Sequence, residues 1–320
     1  MATCRGSVEN DSRPITKDAE NPCETDSSNE FDLNPLEEYK MNHKRRGLAL
    51  IFNQENFFFR LKLSKRTGTN ADCDNLEKRY LSPTLLLSVL MNMSVFLKVT
   101  FYFATTHFCL SYRLEELNFE VKTYDDEGQK EVLNAIHEAA EEDHSDADCF
   151  LLVFLSHGKD NCVYTNDGMI NIQDIIHAFR GDNCPSLVGK PKIFIFQACR
   201  GDKPDTPVVA SGATDHQEVI NKVVIDASAL NTLPAAADFI MCFSVAEGFF
   251  SLRDTNNGSW YIQDLCELLE KYGHQLEFTE ILTLVNRKVS MRSVRMRKHP
   301  KAVKQVPCFA SMLTKKLYFR

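Results

Sequence analysis

A cysteine and a histidine, each at the end of an apolar run, have the strongest chemical case in this sequence. Cys149-Phe-Leu-Leu-Val-Phe-Leu155 leads into Ser156-His157-Gly158, and Lys192-Ile-Phe-Ile-Phe196 leads into Gln197-Ala198-Cys199-Arg200-Gly201. If both runs are parallel strands, His157 and Cys199, 42 residues apart, meet at the carboxyl edge of one sheet, where α/β folds keep their sites. A free thiol has a pKa of about 8.5 and is only slightly ionised at neutral pH. A neighbouring imidazole raises the thiolate fraction or takes the proton as substrate binds, then returns it to a leaving amine. In such a site the backbone N–H groups of Gly158 and Cys199 would hold the developing oxyanion, and a glycine there would let a substrate approach closely. Read alone, Cys199 would be an inert packing cysteine.

The elements that must position this pair are visible as alternation. Short apolar runs at Gly47–Asn53, Phe119–Tyr124, Cys149–Leu155, Lys192–Gln197 and Ala237–Ser244 predict strands. Between and after them, Gly128–Glu142, Asn171–Phe179, Trp260–Lys271 and Leu276–Ser290 repeat apolar residues every three or four positions and predict helices. Such alternation with near-continuous apolar strands predicts an α/β fold, a mostly parallel central sheet flanked by helices. A last run, Val306–Phe319, predicts one more strand. Residues 1–40 are polar and predict a disordered leader, and Asp202–Asn231 reads as an exposed linker.

Composition narrows the class. The chain has 320 residues, 43% of them hydrophobic, enough for a sizeable core without disulfides or metals. Its eleven cysteines are odd in number, mostly in apolar runs and without a Cys-x-x-Cys pair, which fits a reduced compartment and disfavours zinc. The polar N-terminus shows no secretory signal. Glu115–Asp148 is acidic and Arg287–Lys316 basic, both read first as solvated surfaces. With a net charge of −7, nucleic-acid binding through the basic block is not expected to be the main function.

Gln197-Ala-Cys-Arg-Gly201 downstream of Ser156-His157-Gly158 resembles the caspases, cysteine proteases that cut after aspartate and carry this cysteine signature. Leu187–Ile195, Ser244–Gly248, Gly258–Cys266 and Val306–Lys316 extend the resemblance, which spans 31–80 and 115–319 and is to the effector type. It implies a caspase-like sheet whose C-terminal strand lies at a two-fold dimer interface. It also implies a large catalytic subunit over 41–215, a cleavable linker over 216–226 and a small subunit over 227–320. Matching the family's primary pocket gives Arg66, Gln197 and Arg253 around an aspartate carboxylate, where guanidinium pairing is selective. Without the resemblance, either arginine reads as a surface cation. Phe250, Leu252 and Trp260 fall where the family lines neighbouring subsites. Phe250 replaces a usual tyrosine and Leu252 a common tryptophan or histidine, which bears on the residues preferred before the aspartate.

The resemblance further implies a zymogen cut after Asp26, Asp215 and Asp226, acting in programmed cell death. Its partners would be protein substrates with exposed aspartate-containing loops, a second copy of the chain, and other caspases as activators. No cofactor, metal, nucleic acid or membrane is implied. The expected location is the cytoplasm, with the nucleus as a second compartment.

One segment departs from the pattern. Leu81–Leu114 is intensely apolar and has no counterpart in the family. It reads as aberrant coding sequence, as a tolerated surface hairpin or helix, or as a membrane anchor, which its length permits and its Lys98 weakens. It also keeps open an alternative function, a catalytically impaired caspase-like scaffold or regulatory isoform.

Overall fold

The structure, a computed structural model, describes residues 34–73, 110–205, 235–255, 257–296 and 301–320. Its strands in chain order are β1 (Leu48–Asn53), β2 (Glu120–Asp125), β3 (Phe150–Leu155), β4 (Gly158–Lys159), β5 (Cys162–Tyr164), β6 (Met169–Asn171), β7 (Lys192–Gln197), β8 (Phe239–Phe243), β9 (Arg253–Asp254), β10 (Gly258–Ser259), β11 (Val294–Arg295), β12 (Ala302–Val303) and β13 (Cys308–Ser311). The helices are α1 (Thr69–Cys73), α2 (Leu110–Glu116), α3 (Gln129–Glu141), α4 (Ile172–Ala178), α5 (Trp260–Tyr272) and α6 (Phe278–Met291). Six strands form the central sheet in the order β13-β8-β7-β3-β1-β2, all parallel except β13, which runs against β8.

Every residue of β1, β3 and β7 is buried, because helices cover both faces of the sheet. Ala49, Ile51, Leu151, Val153, Ile193 and Ile195 point to one face and pack with α2, α5 and α6. Leu50, Phe52, Leu152, Phe154, Phe194 and Phe196 point to the other and pack with α3 and α4. This period-two division of continuous apolar runs is the reason the runs read as strands at all.

Three boundaries differ from expectation. The packed chain begins inside the expected leader: Tyr39 is buried, and its hydroxyl donates to Asp238 Oδ1 at 2.6 Å. Leu110–Leu114, assigned by sequence to the insert, belong to α2, with Leu110 and Leu114 in the core; the rest of the insert lies outside the described residues up to 109. The C-terminal run Val306–Phe319 yields only the four-residue β13, since beyond it Leu317 and Phe319 bury themselves in the core rather than extend an edge. Among the described residues no helix is long and apolar enough to cross a membrane.

The strand order changes direction between β1 and β3: from β1 the chain goes outward to β2 and returns to β3 on the other side. In such sheets the crevice at the carboxyl ends of these strands is the place for a site. Asn53, Leu155 and Gln197 lie in one row across that edge.

Candidate active site

The two motif strands are neighbours. Leu155 of β3 is paired with Gln197 of β7, and the Ser156 N–H donates to the Gln197 carbonyl at 3.1 Å. His157 and Cys199 therefore leave the sheet at the same level. Gly158 lets their turns touch: a Cβ there would lie 2.5 Å from the Cys199 carbonyl oxygen and 2.8 Å from the Ala198 Cβ. On its far side the cysteine loop is pinned to a second loop, Arg200 N–H donating to Phe249 O at 3.0 Å and Gly248 N–H to Arg200 O at 2.9 Å.

The histidine is oriented by a carbonyl. His157 Nε2 lies 2.8 Å from Ser64 O, and a carbonyl only accepts, so Nε2 carries the hydrogen and Nδ1 is the basic nitrogen. The ring also packs on Phe57, with centroids 4.9 Å apart. Burial, with the positive charges of Arg66 and Arg253 acting the same way, holds the imidazole below its ordinary pKa, against the bond to Ser64. It is thus neutral at pH 7 and able to take a proton. Cys199 is half-buried, and the Ser251 N–H donates to its Sγ at 3.4 Å.

Arg66 is fully buried beside them. Its Nη1 donates to Thr69 Oγ1, which donates on to Asn53 Oδ1 at 2.7 Å, at the end of β1. Its Nη2 is 4.0 Å from Asp72 Oδ2, and neither Nε nor Nη2 has a hydrogen-bond partner. Gln197 Nε2 donates to Ser251 Oγ at 2.8 Å, which leaves its buried Oε1 unpartnered. Arg253 Nε donates to the Thr67 carbonyl at 3.0 Å, so both arginines are fixed to the same short stretch of chain. Burial, reinforced by the Arg253 charge and opposed by Asp72, pushes the Arg66 guanidinium down to about 9. Burial also lowers Arg253. A desolvated Arg66 with two unpaired donors, and a second guanidinium on Arg253, match an incoming carboxylate.

Phe250, Leu252 and Trp260 divide. Phe250 is half-buried, its N–H donating to Lys203 O at 3.2 Å. Leu252 is buried, its N–H donating to Gln305 Oε1 at 2.7 Å. Trp260 follows the β9–β10 hairpin and packs against the core face shared with α5 and α6, with the Arg292 guanidinium 5.8 Å from its ring. Its N–H donates to Leu252 O at 3.4 Å, which joins it to the strand of Arg253.

Sequence reasoning did not single out Ser64, Ser251, Thr69, Asn53, Asp72 or Gln305. Ser64 acts through its carbonyl and Ser251 through its N–H, backbone atoms that carry no residue-type signal, while the Ser251 hydroxyl also accepts from Gln197. The other four act through side chains whose role depends on long-range burial. Asp26, Asp215 and Asp226 lie outside the described residues. Among the described residues, no group of three or more His, Cys, Asp or Glu side chains could hold a metal ion.

Comparison with known proteins bears on most of the chain. Residues 108–318 match the family described as the caspase domain. Caspase-6 of Mus musculus is 53% identical over 291 residues, 90% of this chain and 93% of the relative. Caspase-3 of Oryctolagus cuniculus is 35% identical, with 88% and 86% covered. Among solved structures, the crystal structure of Caspase-1 from Spodoptera frugiperda superposes with a TM-score of 0.69 at 33% identity, over 89% of this chain and 94% of that one.

Proposed function

This chain belongs to the caspase family, cysteine-type endopeptidases of apoptosis, and from that premise we propose that Cys199 attacks the peptide bond after an aspartate while His157 carries the proton. The observation that carries this reading is the common level at which β3 and β7 release His157 and Cys199, with Gly158 packed between the turns. His157 Nδ1 takes the thiol proton. The thiolate sulfur bonds to the carbonyl carbon, and the oxyanion is held by the N–H groups of Gly158 and Cys199. Collapse of that intermediate breaks the C–N bond, with the proton returned from His157 to the leaving amine, and water then hydrolyses the thioester.

Selectivity for aspartate is assigned to Arg66, Arg253 and Gln197. A glutamine or leucine at the cleaved position would leave the buried Arg66 donors unpaired, a kind of mismatch that can cost about 10⁴-fold. Phe250, Leu252 and Trp260 are assigned to the residues preceding the aspartate. The family carries protein substrates and a dimeric organisation; for this chain the β13 edge is proposed as the dimer contact. Activation is proposed to follow cleavage after Asp26, Asp215 and Asp226, by other caspases or by the chain itself, giving pieces 27–215 and 227–320. A reducing cytoplasm suits the thiol nucleophile and is the proposed location.

The test is cleavage of a fluorogenic peptide ending in Val-Glu-Ile-Asp by the expressed chain. Activity is expected, with loss in Cys199→Ala and in a peptide whose aspartate is asparagine. Activity that persists in Cys199→Ala refutes the assignment.

A further inference from the structure

Asp72 is a charged side chain that the proposed chemistry does not use. It is 1% exposed and sits in α1. Its Oδ1 accepts the Ser259 N–H at 2.7 Å, from the residue that precedes α5. Its Oδ2 has no hydrogen-bond partner and lies 4.0 Å from Arg66 Nη2. Gly258, at φ +85°, makes room for it: a Cβ there would be 2.3 Å from Asp72 Oδ1. Ser259 and Gly258 belong to the piece 227–320, whereas Asp72 and Arg66 belong to 27–215.

We propose that Asp72 is a positioning residue for aspartate recognition, holding Arg66 charged and turned toward substrate and tying it through Ser259 to the piece that follows the linker. The proposal rests on the reading of Arg66 as the residue that meets the substrate carboxylate. Its physical core is the distance. A buried guanidinium needs a nearby negative charge, but an ion pair at hydrogen-bond length would occupy the donors a substrate requires. At 4.0 Å, Asp72 balances the charge while Nη2 and Nε stay open. Thr69 holds Nη1 on the other side, so the planar group has one orientation left.

The charged groups facing Asp72 are Arg66, from the loop before α1, and Arg253, from β9; Glu55 and Cys199 act in turn on those arginines. Burial raises the Asp72 carboxyl to about 6, with both arginines opposing the rise. Its charge is therefore lost as pH falls through about 6, and an asparagine reproduces the neutral form. The asparagine Oδ1 still accepts from Ser259, so the substitution removes charge without cutting the tie.

Asp72→Asn and Arg66→Gln in the full chain test this, with steady-state cleavage of the aspartyl peptide and peptide affinity measured in the Cys199→Ala background. The peptide used for affinity carries no other titratable group. For Asp72→Asn, KM is expected to rise on the order of tenfold, the scale of one hydrogen bond to a charged group, with kcat within threefold. Affinity should weaken below pH 6 when Asp72 is present and stay flat in Asp72→Asn. His157, whose pKa is also lowered by burial, should move kcat rather than affinity. An unchanged KM overturns the proposal. So does a KM that falls, because Asp72 would then be repelling substrate. A loss confined to kcat and thermal stability marks a purely structural role and overturns it too. Arg66→Gln that keeps the aspartate preference refutes the reading of Arg66 and this proposal together. If Arg66→Gln loses the preference while Asp72→Asn keeps affinity and pH profile, only the proposal fails.

Discussion

Replacing Gly158 by alanine probes a place where the turns carrying His157 and Cys199 touch. The added methyl would lie 2.5 Å from Cys199 O, 2.8 Å from Ala198 Cβ and 3.1 Å from Cys162 O. Two of these are backbone oxygens, which a rotamer change cannot move. To reach ordinary contact near 3.4 Å, the turn carrying Cys199 must retreat by about 1 Å relative to the turn carrying His157. Overpacking of that kind costs about 1–3 kcal/mol of stability. Its effect on rate is larger: a misplacement of about 1 Å can cost about 100-fold, and here it separates nucleophile, base and both oxyanion donors at once. Peptide cleavage by Gly158→Ala is therefore expected to fall at least about 100-fold, mostly in kcat, with a modest drop in melting temperature. The chemical groups all remain in this variant; only their spacing changes. A kcat within threefold of wild type, with an unshifted melting temperature, would refute the account of how the site is assembled.

Other outcomes follow from the same geometry. Because burial lowers His157, its neutral form persists below the ordinary imidazole pKa of about 6.5. The acid limb of kcat/KM, measured in Asp72→Asn so that Asp72 does not contribute, should accordingly have its midpoint below about 6.5, activity rising as pH increases through it; a midpoint at or above that value contradicts the burial argument. Asp226→Ala should impair separation of the 27–215 and 227–320 pieces on a denaturing gel, and normal processing would remove Asp226 from the assignment. Deleting 81–109 should raise soluble yield and activity by removing a large apolar stretch. Extending the deletion through 114 should lower both, since Leu110 and Leu114 are core residues of α2; equal yields from the two deletions would count against that placement.

The parts of this molecule that could be read from sequence are those in which residue type and residue place coincide. β1, β3 and β7 are buried on both faces, so each is a six-residue apolar run that announces itself. The positions of Cys199 and His157 at the sheet's edge then follow, because each stands just past the end of such a run. β13 is different. It is an edge strand with half-buried and exposed residues, and its neighbours Leu317 and Phe319 are apolar for a reason unconnected with the sheet. Hydrophobicity alone merged the two into one long strand. The insert boundary failed the same way: the apolar residues of α2 continue an apolar stretch without a break, although Leu110 and Leu114 serve the core.

The polar half of the pocket was hidden for a further reason. Arg66, Gln197 and Arg253 could be named only through a family resemblance, since a buried arginine and a surface arginine are the same letter. What distinguishes Arg66 is its surroundings: Thr69 holding one nitrogen, the Asp72 carboxylate 4.0 Å away, and Arg253 fixed to the adjacent Thr67 carbonyl. Asp72 depends in turn on a backbone N–H 187 residues away, at Ser259, and on the bare backbone of Gly258. No local pattern encodes that chain of dependence. One carboxylate thus links the α1 region to the start of α5, and on the proposed reading of Arg66 it would join substrate recognition to the pairing of the two pieces.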